Sequence, residues 1–289
     1  MKVLLTGAAG RLGSVTCQAL VDAGHEVRGV DRRYNKDLPI RIDVADLRDR
    51  NAPYALLQGV DAVVHLANHP HAGAGDAQTV FNENITMNFN LFEAAHQMGI
   101  AKLVFASTVQ VIAGDRGTDE SAPSQLPYLP LDSAVPANPR NYYAQSKHFS
   151  ELLLEGYARR GLTATAVRFP AIIRPEYLPR LRAPSHKTLM RTVFDDAFMW
   201  LAVSDAAQFI VAILAAPLQG FHIYLPAAPT PATDMPVSEI IERFLPGVPL
   251  RKPINELHSL VDISAITRDT GWTPRVTLEE IAPVASSAR

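Results

Sequence analysis

A chain that opens with a short β-rich run and then places three glycines at every third position has few ways to fold. Lys2–Thr6 is such a run, Gly7-Ala8-Ala9-Gly10-Arg11-Leu12-Gly13 follows it, and apolar periodicity from about Leu12 to Ala23 marks a helix. Glycines between a strand and a helix supply the turn, let phosphates approach the main chain, and let the helix pack close to the sheet. The helix start then offers unpaired N–H groups and a positive dipole end to an anion. Gly24-His25 closes the helix, and Glu26–Val30 reads as a second strand ending in Asp31, about where an acid takes the hydroxyls of an adenosine ribose. The pattern predicts a dinucleotide site in which Gly7, Ala9, Gly10, Arg11, Leu12 and Gly13 form the phosphate cradle and Asp31 favours NAD. Arg32 and Arg33 follow at once and offer charge to a 2′-phosphate, which leaves NADP open beside the reading of two solvated arginines.

The alternation continues. A strand near Ile40–Ile42 ends in Asp43, a helix is expected over Asp46–Leu57, and Ala62-Val63-Val64-His65-Leu66-Ala67 is a continuous apolar strand. Such strands belong to a parallel sheet covered on both faces. Asp43-Val44 is placed to approach the adenine, and Ala67 the ribose side of the cofactor. The loop His69-Pro70-His71-Ala72-Gly73-Ala74-Gly75 follows at the carboxyl end of that strand, where open α/β sheets bind ligands, so His69 is a candidate substrate contact. Two histidines there invite a metal reading, but no carboxylate or Cys nearby in the sequence completes a ligand set. A helix is expected over Ala77–Met98, then a strand Leu103–Ala106 with Ser107-Thr108 at its tip. The Thr108 hydroxyl can bond a substrate oxygen or cap a turn. Residues 113–139, rich in Pro, Gly, Ser and Asp, read as a long excursion over the mouth of the site.

After that excursion, Asn141-Tyr142-Tyr143-Ala144-Gln145-Ser146-Lys147 opens a helix running to about Arg160. Tyr143 and Lys147, four residues apart, share a face of it. An ammonium beside a phenol favours the phenolate and lowers the tyrosine pKa from its ordinary ~10. Tyr143 is therefore a candidate general base. Thr163–Arg168 makes a sixth strand. The chain is predicted to be α/β, a Rossmann-type doubly wound parallel sheet with a smaller C-terminal substrate lobe. Residues 1–168 form the nucleotide domain, with 203–225 returning to it, and 169–289 the smaller lobe, where Trp272 is expected in the core.

The totals narrow the class of partner. With 289 residues, a net charge of −2, 47% hydrophobic and 19% charged residues, the chain has no basic block to hold nucleic acid. Arg32-Arg33 and Arg159-Arg160 are pairs, not patches. Cys17 is the sole cysteine, which rules out an intrachain disulfide or a Cys-built zinc site and fits a reducing compartment. No signal peptide is read at the N-terminus and no stretch approaches a membrane span, so the expected location is cytoplasmic.

Several stretches in order resemble the extended branch of the short-chain dehydrogenase/reductase superfamily, the NAD-dependent epimerase/dehydratase type. They are Thr6–Gly13, His65-Leu66-Ala67, Asn84 ahead of Asn90-Leu91-Phe92-Glu93-Ala94-Ala95, Ser107-Thr108, Tyr143–Lys147, Val203-Ser204-Asp205-Ala206-Ala207, and Gly271-Trp272-Thr273-Pro274 with Leu278-Glu279-Glu280. The resemblance implies a catalytic set of Thr108, Tyr143 and Lys147. It implies cofactor contacts at Leu66, Ala67, Asn84, Ala106, Tyr143, Lys147 and Phe169, and at Asp31, Arg32, Asp43 and Val44. It also implies a homodimer through the helices at 77–98 and 141–160.

Departures from the family pattern point to the substrate. The family's dehydratases carry acidic residues after the catalytic Thr; Val109-Gln110 stand there, disfavouring elimination and making both candidate substrate contacts. Ile112-Ala113 replace the Tyr-Gly usual in sugar-nucleotide epimerases, and the span from Arg168 to Asp205 is short for holding a nucleotide diphosphate. This layout resembles uronate dehydrogenases, and the resemblance points to Arg180 as the clamp of a substrate carboxylate, with Arg174 and Arg182 equally available to it. The expected activity is NAD-dependent oxidation of a hydroxyl on a small sugar or sugar acid. The alternatives are an epimerase with transient oxidation and a non-catalytic cofactor-sensing module.

Overall fold

The computed structural model describes residues 1–112, 124–182 and 196–279. Its strands are β1 (Lys2–Thr6), β2 (Glu26–Asp31), β3 (Ile42–Val44), β4 (Ala62–His65), β5 (Lys102–Thr108), β6 (Thr163–Phe169), β7 (Ala171–Ile173), β8 (Trp200–Ala202) and β9 (Phe221–Tyr224). Its helices are α1 (Arg11–Asp22), α2 (Ala52–Leu56), α3 (Ala77–Gln97), α4 (Tyr142–Ala158), α5 (Val203–Ala215), α6 (Val237–Phe244) and α7 (Ser264–Thr270). Seven strands make one sheet in the order β3-β2-β1-β4-β5-β6-β9, every neighbouring pair parallel. The strand order reverses between β1 and β4, the switch point outside whose carboxyl ends such sheets bind ligands.

Both faces are covered, as the continuous apolar strands require. On one face Leu5, Val64 and Val104 pack with Cys17 and Leu20 of α1 and Phe209, Ile210 and Ile213 of α5. On the other, Leu4, Val63 and Leu103 pack with Leu91 and Phe92 of α3 and Leu154 and Tyr157 of α4. A separate apolar cluster joins Leu126, Leu129, Leu131 and Val135 to Phe198, Leu225, Ile240, Phe244 and Leu260. No helix among the described residues is long and apolar enough to cross a membrane.

Several local expectations shift. β3 runs over Ile42–Val44, two residues further along than the strand expected near Ile40–Ile42 with Asp43 at its end. The helix expected over Asp46–Leu57 shrinks to α2, because Asp46 and Asp49 turn their carboxylates onto the N–H groups of Arg48 and Asn51 and hold this stretch in turns. β9 adds a seventh strand beside β6, and β7 pairs β8 in a second, two-stranded sheet. Of the excursion over 113–139, residues 113–123 lie outside the described residues. The remainder is woven into the third cluster: Leu129 and Leu131 bridge to Leu250 and Val261, main chain to main chain. Trp272 belongs to the core over the main sheet, its ring 4.7 Å from that of Phe209, and not to the core of the smaller lobe.

The glycine turn is as tight as its sequence implies. Gly7 has φ +71°, and a Cβ there would lie 2.8 Å from the Ala67 nitrogen. A Cβ on Gly13 would lie 2.0 Å from the Gly7 carbonyl oxygen, a contact no side chain can make. Overpacking of this kind costs about 1–3 kcal/mol or more. Gly13→Ala should therefore lower the denaturation midpoint clearly, as urea titration followed by circular dichroism would measure, and an unchanged midpoint would contradict the packing described.

Candidate active site

The cradle is assembled by three elements. Gly10 offers α1 no side-chain cap, so the N–H groups of its first turn are left for another acceptor. Asp31, at the end of β2, accepts from the Ala9 N–H at 3.1 Å and the Arg33 N–H at 3.1 Å, which fixes its carboxylate against the glycine turn. Leu66 and Ala67 pass directly over Gly7. A cradle that any Cβ would fill, with a carboxylate at its edge, suits a dinucleotide. Val44 is exposed beside it, while Asp43 spends one oxygen on an ion pair with Arg28 at 2.8 Å.

Deeper in the crevice the catalytic candidates converge. Parallel pairing of β5 with β6 sets Thr108 opposite Phe169 at the carboxyl end of the sheet, and α4 lays Tyr143 and Lys147 against it. Asn141 caps α4 by accepting from the Ala144 N–H at 2.8 Å, and its Nδ2 donates to Gln110 Oε1 at 3.1 Å, tying the helix start to the end of β5. Thr108 Oγ1 accepts from the Gln110 N–H at 3.3 Å. Burial pushes the Tyr143 phenol up to about 12, and the Thr108 hydroxyl pulls it the other way.

That last point corrects the expectation for the Tyr143/Lys147 pair. The ammonium does not lie on the phenol. Lys147 Nζ is 5.9 Å from the centre of the Tyr143 ring and donates instead to Asn68 Oδ1 and to the Ala106 carbonyl, each at 2.7 Å. Burial pulls the lysine down to about 7, against the pull of Glu151 in the other direction. The pair is a neutral phenol beside a lysine that burial has drawn well below the ordinary amine range.

Other predicted residues take structural bonds. Asn84 is fully buried, accepting from the His69 N–H at 2.8 Å and donating to Ser146 Oγ at 3.1 Å. His69 finds a carboxylate that the local sequence does not show: Glu83, one face of α3 away, lies 2.7 Å from its Nε2 and is itself paired with Arg48. Val109 is buried, Gln110 half-buried, and Phe169 packs in the core. Arg32 is exposed. Arg180 falls in the 3₁₀ turn Pro175–Arg182, and its side chain lies outside the described residues.

Two sets of residues escape a reading by motif. Asn88 stands four after Asn84 on α3, as Ser150 stands four after Ser146 on α4, and Asn88 Nδ2 donates to Ser150 Oγ at 2.7 Å. That matched spacing of polar residues on facing helices was the available signal. Beneath Lys147, Glu151 and Arg168 form a buried ion pair at 2.8 Å, with Ser107 Oγ donating to the same carboxylate at 2.6 Å. Burial pushes Glu151 up, but the His148 ring 3.6 Å away and hydrogen bonds from Arg168 and Ser107 hold it below the ordinary carboxylate value.

Fold and cradle together define a dinucleotide-binding α/β protein of Rossmann type, with a Tyr, Lys and Thr constellation at the crevice. The chain belongs to the NAD dependent epimerase/dehydratase family, whose model matches residues 3–225. It is 33% identical to an L-arabinose 1-dehydrogenase (NAD(P)(+)) of Haloferax volcanii over 72% of this chain and 80% of that one. A uronate dehydrogenase of Pseudomonas syringae pv. tomato is 28% identical over 77% of this chain and 72% of its own. Among solved structures, MoeE5 in complex with UDP-glucuronic acid and NAD superposes with a TM-score of 0.70 at 24% identity, covering 97% of this chain and 96% of that one, a likeness of fold.

His65 offers a test of the buried network around the site. Burial lowers its pKa from the ordinary 6.5 to about 3, so the folded protein holds it neutral while the unfolded chain binds a proton. Stability attributable to it is complete above pH 6.5 and is lost as pH falls through the window down to about 3. Denaturant midpoints measured across that window should fall more steeply for the natural protein than for His65→Gln; parallel slopes would contradict a neutral buried imidazole.

Proposed function

We propose that the chain is an NAD-dependent dehydrogenase that oxidises a hydroxyl of a small, uronate-like sugar or sugar acid, with Thr108, Tyr143 and Lys147 as its catalytic residues. The observation that carries this reading is Tyr143, buried one helical turn from a buried lysine and set against the strand end that carries Thr108, at the carboxyl end of a sheet whose glycine cradle fits a dinucleotide. NAD bound on Gly7–Gly13 and Asp31, with Leu66, Ala67, Ala106 and Phe169 lining its path, supplies the hydride acceptor.

The residues of this chain do the rest. Tyr143 Oη takes the proton of the substrate hydroxyl as the carbon bearing it gives up hydride, leaving a carbonyl. Thr108 Oγ1, accepting from the Gln110 N–H, keeps its own proton for the reacting oxygen. Lys147 supplies positive charge behind the phenolate. Val109 and Gln110 put no carboxylate beside Thr108, so a carbon-bound proton has no base there and elimination is disfavoured. Two relatives named for L-arabinose and uronate dehydrogenation support a sugar or sugar-acid substrate. Arg180 is the proposed clamp for its carboxylate, its guanidinium fork matching the two oxygens.

Residues 1–168 with 203–225 make up the proposed cofactor domain, and the remainder after 169 the substrate lobe. The exposed Phe89 of α3 and Phe149 and Leu152 of α4 supply an apolar face for the proposed homodimer. A single, buried cysteine suits the proposed cytoplasmic location.

Tyr143→Phe should bind NAD nearly as well as the natural protein, by fluorescence titration, while turnover falls by about 10²–10⁴-fold. Unchanged turnover would remove Tyr143 from the mechanism. Offered hexuronates, aldoses and nucleotide sugars, the protein should accumulate NADH with a hexuronate or a free aldose. A sugar product formed without net NADH would make it an epimerase instead.

A further inference from the structure

Lys147 faces a partner that the catalytic reading does not use. Its Nζ donates to Asn68 Oδ1 at 2.7 Å, and the orientation of that carboxamide is fixed by its neighbours. Asn68 Nδ2 donates to the Ala67 carbonyl and, at 2.8 Å, to Asn88 Oδ1, so the oxygen is the atom left for the lysine. Asn88 cannot turn over either. Its Nδ2 donates to Ser150 Oγ at 2.7 Å, and that hydroxyl has committed its proton to the Ser146 carbonyl at 2.8 Å.

The chain continues to the cradle. Register pairs Thr6 with His65 across β1 and β4. Thr6 Oγ1 accepts from the N–H groups of Leu66 and Ala67, both at 3.2 Å, so its own proton goes to His65 Nδ1 at 2.7 Å. The imidazole then carries its proton on Nε2, which donates to Asn88 Oδ1 at 2.7 Å. Every donor direction follows from the one before, from the residue preceding Gly7 to the amine of Lys147.

We infer that Asn68 is a positioning residue that sets the charge state of Lys147, its oxygen locked toward Nζ by the Thr6, His65 and Asn88 chain. The inference rests on the proposed role of Lys147 beside Tyr143. An ammonium taken out of water needs acceptors, and the described surroundings offer two, Asn68 and the Ala106 carbonyl. The charged and titratable groups around it leave Asn68 that role. Glu151, one turn along α4, is spent on Arg168 of β6 and Ser107 of β5; His65 of β4 is neutral; Glu83 of α3 is paired with His69 and Arg48; Tyr143 is a phenol.

The test reads the lysine directly. The ¹³Cε resonance of Lys147, assigned by its absence in Lys147→Met, is titrated by NMR in the natural protein, in Asn68→Ala and in Asn68→Asp. Loss of the acceptor should lower the Lys147 midpoint by a unit or more, and a carboxylate at the same place should raise it. Opposite movements are the signature of an electrostatic role. Midpoints unchanged, or displaced the same way in both variants, would overturn the inference, and Asn68→Asp decides it should the alanine variant not fold. In turnover, Asn68→Ala should shift the acid limb of the kcat profile upward, losing about tenfold at pH 7 per unit and recovering at higher pH. A profile that superposes on the natural one would also overturn it. Should the natural protein oxidise no sugar at all, the dehydrogenase reading fails, while the lysine titration still decides the role of Asn68.

Discussion

Lys147 is 4% exposed, and an amine so buried has to be met by oxygens or lose its proton. The oxygens that meet it belong to Asn68 and Ala106, on the carboxyl ends of β4 and β5, the two strands between the cradle and α4. The lysine is thereby a strut across the crevice floor as well as a charge within it. What holds Asn68 in place reaches back through Asn88 and His65 to Thr6, the last residue before the glycine turn. The part of the fold that receives phosphates and the part proposed to move a proton thus share one set of hydrogen bonds. Networks of this kind are rigid when every member is satisfied and costly when one is not.

A second support lies beneath the first. Glu151 and Arg168 are both almost inaccessible, and breaking such a pair leaves a bare charge in the interior, typically at about 3–5 kcal/mol. Arg168 also donates to the Val135 carbonyl at 2.8 Å, so the pair that anchors α4 to β6 reaches the segment packed into the separate apolar cluster. Asn141 and Gln110 close the arrangement at the other end of the helix. Tyr143 therefore sits on a helix whose first turn and whose inner face are both pinned to the strand that carries Thr108.

The parts legible in the sequence are those whose causes are local. Gly7, Gly10 and Gly13 announce the cradle because only a missing Cβ permits that turn, and Asp31 follows at the distance one strand and one helix impose. Helical spacing puts Tyr143 and Lys147 on one face, and the glycine cradle earlier in the chain gives that pair its meaning. The failures share the opposite character. The seventh strand depends on β9 finding β6 across 50 residues of chain, and the turns at Asp46 and Asp49 depend on side chains competing with a helix that the apolar pattern favours. Spacing alone predicts a lowered Tyr143 pKa from the neighbour four residues on, but burial acts on the phenol from all sides, and the lysine spends its N–H groups on Asn68 and Ala106. His69 acquires Glu83, and Asn84 acquires Ser146, for the same reason: partners in space are not partners in sequence.

These features make proton transfer conditional. Burial keeps the proton on Tyr143; the positive charge that NAD would bring to the crevice and a lysine held as the ammonium would both favour the phenolate. The most direct test is an ultraviolet titration of tyrosinate, taken as the difference between the natural protein and Tyr143→Phe, with and without saturating NAD. Without NAD the phenolate should emerge only near the free value of about 12, and with NAD it should emerge well below that. A phenolate already present near neutrality in the free protein, or a titration that NAD leaves unmoved, would contradict the account.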